Sequence, residues 1–217
     1  MHKHSSKYKL ILFIELLGSF IILPYLLSVY KLRGAIYFVL TALSIVCAVI
    51  LKRYYNYNFV SDLNFKAVNK EFLRSLIPRT FIVCFALFLF AYYKVPERLF
   101  SFPLERPVIW VFVMLWYPIF SVLPQEFLYR SYFYHRFRYI LPERGLWMLS
   151  GLLFGWAHIV LQNYVAVSFT MFGGALFAIT YARTKSLAAA VFEHSLYGCW
   201  LFTLGLGVYF YHGLAVR

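Results

Sequence analysis

Six consecutive residues near the middle of the chain, Gln125-Glu126-Phe127-Leu128-Tyr129-Arg130, place an acid and a base inside a long apolar stretch. Residues four apart on a helix share one face, so Glu126 and Arg130 can pair. Ionisable side chains in apolar surroundings are costly, and they usually face partners within a bundle or a water-filled cavity. The spacing predicts a buried polar site in which Gln125 and Arg130 support Glu126.

Two histidines in later apolar runs, His158 and His194, are the predicted partners of Glu126. With a helical rise of about 1.5 Å per residue, these three side chains lie roughly 15, 21 and 13 Å in from the basic residues that flank their segments. Taken singly, each has a structural explanation as an ion pair or a packing residue. Burial of several polar groups is costly unless they satisfy one another, so we predict that Glu126, His158 and His194 form one buried polar site, with Glu193 in support.

The elements that must position these residues are membrane-spanning helices. The chain has 217 residues, of which 63% are hydrophobic and 13% charged, and its mean hydropathy is +0.71. A soluble domain cannot hide so much apolar surface, so the composition predicts an all-α, polytopic transmembrane bundle of about seven or eight spans. The marked spans are approximately 10–30, 35–51, 77–93, 107–139, 146–162, 164–182 and 186–211.

Two of these spans leave their course open. The fourth is too long for one simple crossing, and a bend is expected near Pro118 or Pro124. The last is either one tilted helix or two short helices broken near Gly198. We divide the chain into an N-terminal unit, residues 1–104, and a unit that carries the polar site, residues 105–211.

We attribute the net charge of +13 to the orientation of the protein in the membrane and not to a nucleic-acid partner, because the basic residues lie between the apolar segments. Most of them fall on one side if the N-terminus is cytoplasmic, so that orientation is predicted. Substrate is then expected to enter from the cytoplasm or from the bilayer. Three isolated cysteines give neither a disulfide framework nor a metal pattern.

The ordered motifs resemble those of the CPBP family of intramembrane glutamic proteases, which includes the type II CAAX prenyl endopeptidases and bacterial Abi-type proteins. That family carries Glu-Glu-x-x-x-Arg, then Phe-x-x-x-His, then a His-x-x-x-Asn-like motif. Here they are Gln125 to Arg130, Phe154 to His158 and His194 to Gly198. The resemblance covers about residues 105–211 and implies a protein of the bacterial inner membrane.

The resemblance implies hydrolysis of a peptide bond by an activated water. In this hypothesis Glu126 accepts a proton from a water held between it and His158, and Arg130 keeps the carboxylate ionised. His194 stabilises the oxyanion, and Gln125 orients the water or the substrate amide. The implied partners are a peptide or protein substrate, lipid-modified or membrane-bound, and the bilayer itself.

Two departures from the family pattern keep other functions open. The first glutamate of the family motif is Gln125 here, and the polar residue four positions after the last histidine is Gly198. A catalytically inactive membrane scaffold or regulator is therefore one alternative, and a proton-coupled transporter is another. No cofactor is expected. A zinc-dependent protease is a further alternative, although the acid and the histidines lie on separate helices without a His-x-x-x-His pair.

Overall fold

A computed structural model describes residues 5–210, and within that range the chain forms helices and no strand. The first six long helices are long and apolar enough to cross a membrane. The predicted all-α polytopic bundle is therefore confirmed, whereas the predicted unit boundaries at residues 1 and 211 lie outside the described residues. The long helices are α1 (Ser6–Val29), α2 (Arg33–Tyr55), α3 (Lys70–Lys94), α4 (Pro107–Phe137), α5 (Glu143–Leu161), α6 (Tyr164–Thr184) and α7 (Leu187–Thr203).

The seventh helix is shorter than the others. It has 17 residues, and a rise of about 1.5 Å per residue makes it roughly 26 Å long. That is slightly less than the hydrocarbon thickness of about 30 Å. The helix continues without a break through Gly198, so of the two courses left open by the sequence the structure has the single helix.

Helix α4 is continuous but contains two wide, π-helical turns, Pro118–Val122 and Phe127–Tyr132. Proline has no backbone N–H to donate, so Pro118 and Pro124 loosen the hydrogen-bond ladder without ending the helix. The expected disturbance near the prolines therefore takes the form of widened turns. Such turns often accompany functional sites, and here Glu126 lies between the two.

Short connections make α5, α6 and α7 successive antiparallel neighbours. Gln162 and Lys185 adopt left-handed backbone conformations, with φ of 52° and 48°, at the ends of α5 and α6. The next residues, Asn163 and Ser186, cap the following helices through their side-chain oxygens. These connections bring the segments that carry His158 and His194 to the same part of the bundle.

Glycines allow α5 and α6 to pack backbone against backbone. A Cβ atom on Gly155 would lie 2.6 Å from the Cα atom of Met171, and one on Gly151 would lie 2.8 Å from that of Ala175. Gly174 on the facing helix is equally crowded, against the carbonyl oxygen of Gly151 at 2.8 Å. Gly151 and Gly155 have the Gly-x-x-x-Gly spacing that permits such close packing of membrane helices.

Two partly buried ion pairs tie the N-terminal helices to the later ones. Glu15 of α1 pairs with Arg136 of α4 at 2.5 Å and also accepts a hydrogen bond from Tyr132. Arg79 of α3 pairs with Glu193 of α7 at 3.0 Å. Arg136 and Glu193 are the buried members of these pairs, and removal of Glu15 or Arg79 would leave a buried charge uncompensated, so both pairs fix the positions of these helices.

The outer surface of the bundle is apolar. Large hydrophobic side chains are exposed on the outward faces of the helices. Such faces suit contact with lipid and not with water. With the six long apolar helices, this surface identifies an integral membrane protein. Examples of these exposed side chains on α2, α3, α4 and α6 are Phe38, Phe81, Ile82, Leu115 and Phe172.

Candidate active site

The predicted ion pair forms inside the bundle. Arg130 Nε donates to Glu126 Oε2 at 2.8 Å, and both side chains are fully buried. Arg130 also donates through Nη1 to the Ser150 hydroxyl at 2.5 Å, and its guanidinium lies 5.3 Å from the centre of the Phe154 ring. These contacts hold the carboxylate in one orientation and supply the opposite charge that it needs in apolar surroundings.

Helix α7 brings His194 to the second oxygen of the same carboxylate. His194 Nδ1 lies 2.9 Å from Glu126 Oε1. A carboxylate beside an arginine accepts hydrogen bonds, so Nδ1 carries a proton and donates it. The other ring nitrogen, Nε2, lies 3.1 Å from the Tyr117 hydroxyl, and the ring stacks on Phe177 with centres 4.5 Å apart. The acid and one predicted histidine therefore meet directly.

His158 lies in the last turn of α5 and approaches the same site through Phe154. Its Nδ1 donates to the Phe154 carbonyl oxygen at 2.8 Å, which leaves Nε2 as the ring nitrogen with a free lone pair. The Phe154 ring centre lies 5.0 Å from that of His158 and 5.4 Å from that of His194. The structure thus places both imidazoles around one aromatic ring, and only His194 contacts Glu126 directly.

A cavity of about 1500 Å³ faces the histidines. Its polar lining includes Tyr117, Ser121, Gln125, His158 and His194, and most of the wall is apolar. A cavity of this size has room for a peptide segment or a lipid-like group. Its apolar wall favours a ligand with an apolar surface.

The neighbouring side chains Gln125 and Glu126 point in different directions. Gln125 lines the cavity and donates through Nε2 to the Ser121 hydroxyl at 2.9 Å. Glu126 is absent from the described lining of the cavity, and each of its oxygens already accepts a hydrogen bond from Arg130 or His194. The neutral amide, not the carboxylate, therefore meets whatever the cavity holds.

The cavity extends toward the helix ends remote from the N-terminus, where Arg33, Arg98 and Arg106 line it. The expected approach from the N-terminal side is not the one that this cavity offers. Ile109 and Trp116 of α4 line the cavity and are 46% and 48% exposed.

Glu193 lies in a separate polar cluster on the far side of α7. It pairs with Arg79 and accepts hydrogen bonds from Thr180 at 2.5 Å and from Tyr197 at 3.0 Å. Neither of its oxygens contacts Glu126. The structure therefore places Glu193 where it holds α7 in position beside His194.

Sequence reasoning did not identify Tyr117, Ser150 or Arg79. A tyrosine and a serine in apolar runs carry no spacing signal, and Arg79 belongs to a helix outside the motif region. Among the described residues, no three His, Cys, Asp or Glu side chains are grouped as metal ligands. The zinc-dependent alternative thus stays a prediction from residue types alone.

The fold and the site define a class: a polytopic helical membrane protein with a buried carboxylate–imidazole pair beside a bilayer-level cavity. Residues 107–200, from the start of α4 into α7, match the family described as type II CAAX prenyl endopeptidase Rce1-like. This match confirms the resemblance to the CPBP and CAAX proteases over the segment that carries all three motifs. At the level of the family it supports a CAAX-protease-like intramembrane endopeptidase. No curated protein and no solved structure matches the chain.

Proposed function

We propose that the protein is an intramembrane endopeptidase that hydrolyses a peptide bond with a water activated at the Glu126, His158 and His194 cluster. One observation carries the proposal: an arginine-paired glutamate binds His194 inside the membrane, and His158 and His194 both line the adjoining cavity. Three polar groups from separate helices converge where apolar side chains would be less costly. Such convergence is typical of a catalytic site.

The geometry favours a division of roles within this cluster. His158 has a free lone pair on Nε2 and lines the cavity, so it is the group best placed to take a proton from water. Glu126 has no free position toward the cavity and acts as the positioning residue that orients His194. This assignment makes His158 the base, whereas the hypothesis from the sequence gave that role to Glu126.

The bond changes follow from these positions. His158 Nε2 accepts one proton of the water, and the resulting hydroxide bonds to the carbonyl carbon of the substrate. The oxyanion that forms needs hydrogen-bond donors on the His194 side of the cavity. The proton then passes from His158 to the leaving nitrogen, and the carbon–nitrogen bond breaks to give a carboxylic acid and an amine.

The substrate is a peptide or protein that reaches the cavity from the bilayer, and a lipid-modified or membrane-bound chain fits this route. Ile109 and Trp116 line the cavity and are about half exposed, which supports entry between α2 and the first half of α4. We place the N-terminus in the cytoplasm on the distribution of Lys and Arg along the chain. We place the protein in the bacterial inner membrane, as the resemblance to the family implies.

A second candidate is a membrane scaffold or regulator that keeps the fold without hydrolysis. Gln125 favours it, because this side chain faces the cavity and cannot accept a proton at neutral pH. The two candidates differ in one measurable respect, the appearance of new protein termini.

The test compares protein termini in membranes from cells that contain the wild-type protein, the Glu126→Gln variant or no protein. We expect termini that depend on the wild type to fall about 100-fold in the variant, because the neutral amide loses two charge-assisted hydrogen bonds and releases His194. Glu143→Gln is the matched control, since Glu143 is exposed and pairs only with Lys185 among the described contacts. That variant should behave as the wild type.

Equal termini in wild-type and Glu126→Gln membranes, at equal protein levels, would refute the hydrolytic role of the cluster. If the wild type generates no termini beyond those of cells without the protein, the scaffold becomes the better explanation.

A further inference from the structure

Tyr117 and Gly198 occupy one another's space at the wall of the cavity. A Cβ atom on Gly198 would lie 2.4 Å from the Tyr117 hydroxyl oxygen and 2.4 Å from its ring carbon Cε1. Real Cβ atoms do not approach other atoms so closely, so any side chain at position 198 would displace the Tyr117 ring. The glycine therefore admits the phenol of α4 against α7, at the level of His194.

The Tyr117 hydroxyl is connected to the acid of the site. It lies 3.1 Å from His194 Nε2, and His194 Nδ1 binds Glu126, which binds Arg130. Three hydrogen bonds thus run from a fully buried guanidinium to a phenol that lines the cavity. Tyr117 is the group of this hydrogen-bonded series that lines the cavity.

The protonation state of His194 decides what the phenol offers to the cavity. A neutral ring with its proton on Nδ1 accepts the phenolic proton at Nε2. A doubly protonated ring donates at both nitrogens, to Glu126 and to the Tyr117 oxygen, and the phenolic O–H then points away from the imidazole. In this second form one ring N–H points to the Glu126 oxygen 2.9 Å away and the other to the Tyr117 oxygen 3.1 Å away.

We propose that the Tyr117 hydroxyl is the hydrogen-bond donor that stabilises the oxyanion, in the space that Gly198 leaves open beside His194. The inference deepens the proposed function and rests on it. It makes Tyr117 a catalytic residue, whereas Gly198 acts only by admitting it. No bond in Tyr117 breaks: its O–H donates to the oxyanion while its oxygen accepts from His194.

The first test measures cleavage of a farnesylated peptide that ends in a C-a-a-X sequence, with the full chain in proteoliposomes. Tyr117→Phe should lower kcat by about 100- to 1,000-fold and leave KM within a few-fold, because an oxyanion donor acts mainly in the transition state. Tyr134→Phe is the matched control: it removes a buried hydroxyl of the same helix that donates to the Ala178 carbonyl oxygen. It should retain wild-type kcat.

The second test exchanges the donor between the two helices. Gly198→Asn alone should abolish cleavage, because its side chain overlaps the Tyr117 ring. In the Tyr117→Ala, Gly198→Asn double variant the ring is gone and an amide N–H₂ occupies the same space. We expect that double variant to recover at least 10-fold more activity than either single variant. A double variant no better than the singles would contradict the shared position.

The third test does not need turnover and separates failure of this inference from failure of the proposed function. It compares binding of the farnesylated peptide with that of a phosphinate analogue whose tetrahedral, anionic group replaces the scissile amide. The wild type should bind the phosphinate at least 10-fold more tightly than Tyr117→Phe does, and both should bind the peptide equally. Equal phosphinate binding by the two proteins overturns the role of Tyr117, whether or not the peptide is cleaved.

Discussion

Neighbouring residues on a helix point about 100° apart, and at positions 125 and 126 this rotation separates two tasks. Gln125 faces the cavity, and Glu126 faces Arg130 and His194. The charged group at position 126 orients Arg130 and His194 from the side of α4 that does not line the cavity. A group at position 125 faces the cavity in which we propose that the reacting water lies, and in this chain that group is a neutral amide with one hydrogen bond to Ser121.

A carboxylate at position 125 should therefore strengthen the chemistry. We expect Gln125→Glu to raise the rate of peptide cleavage about 10- to 100-fold, because a second base would then share the water with His158. The measurement is initial rate on the farnesylated peptide. Gln162→Glu, which makes the same change at an exposed position outside the cavity lining, should leave the rate unchanged. A lower rate in Gln125→Glu would show that the amide itself positions the substrate.

Much of the site was predictable at this scale, because buried charges need partners. That requirement joined Glu126, Arg130 and His194, and the structure brings these three into direct contact. The contact of His158 with Phe154 instead of with Glu126 was not predictable, since it depends on the rotation of α5. Tyr117 was also missed, because its role requires knowing that Gly198 lies opposite it.

At the scale of elements, the spans followed from the apolar runs and the details from local backbone chemistry. The long apolar run of α4 predicted one extended element, and two prolines within it predicted a disturbance. The sequence could not show that the disturbance would be two π-helical turns that flank Glu126, because that choice depends on packing around the helix. The ends of α5 and α6 depend on left-handed residues, Gln162 and Lys185, that carry no glycine signal.

The α5–α6 contact provides a prediction about stability. Gly155→Ala should destabilise the protein by about 1–3 kcal/mol, because the added methyl meets the backbone of Met171 and forces the helices apart. Thermal unfolding in detergent, followed by circular dichroism, measures the effect. Gly18→Ala makes the same change on α1, where the new Cβ atom would have no atom within 4 Å. We expect that control to be as stable as the wild type or slightly more stable, and equal melting of both variants would refute the close approach.

For the whole molecule, the ion pairs and the cavity define one continuous assembly. Glu15 and Arg79 lie on helices that precede the segment matched by the family. They pair with residues of α4 and α7, the helices that carry Glu126 and His194. The first three helices thus contribute to the geometry of a site to which they supply no catalytic group. The cavity then opens toward the end of the bundle that lies opposite the N-terminus.

This polarity, together with a cytoplasmic N-terminus, predicts which face of the membrane reaches the cavity rim. In a chain without Cys47, Cys84 and Cys199, a single cysteine introduced by Glu105→Cys should react with a membrane-impermeant maleimide in intact cells, because Glu105 lies at the rim and is exposed. Lys7→Cys, at the opposite end, should react only after the membrane is permeabilised.

Addition of the phosphinate analogue supplies the decisive comparison, because a ligand in the cavity should slow labelling at Glu105→Cys and leave labelling at Lys7→Cys unchanged. The reverse accessibility of the two positions would invert the orientation derived from Lys and Arg while preserving the fold. Labelling at Glu105→Cys that the analogue does not slow would instead separate the cavity from substrate binding. The excess of basic residues in the segments on the N-terminal side predicts that Glu105→Cys reacts in intact cells and that Lys7→Cys does not, since such residues are retained on the cytoplasmic face.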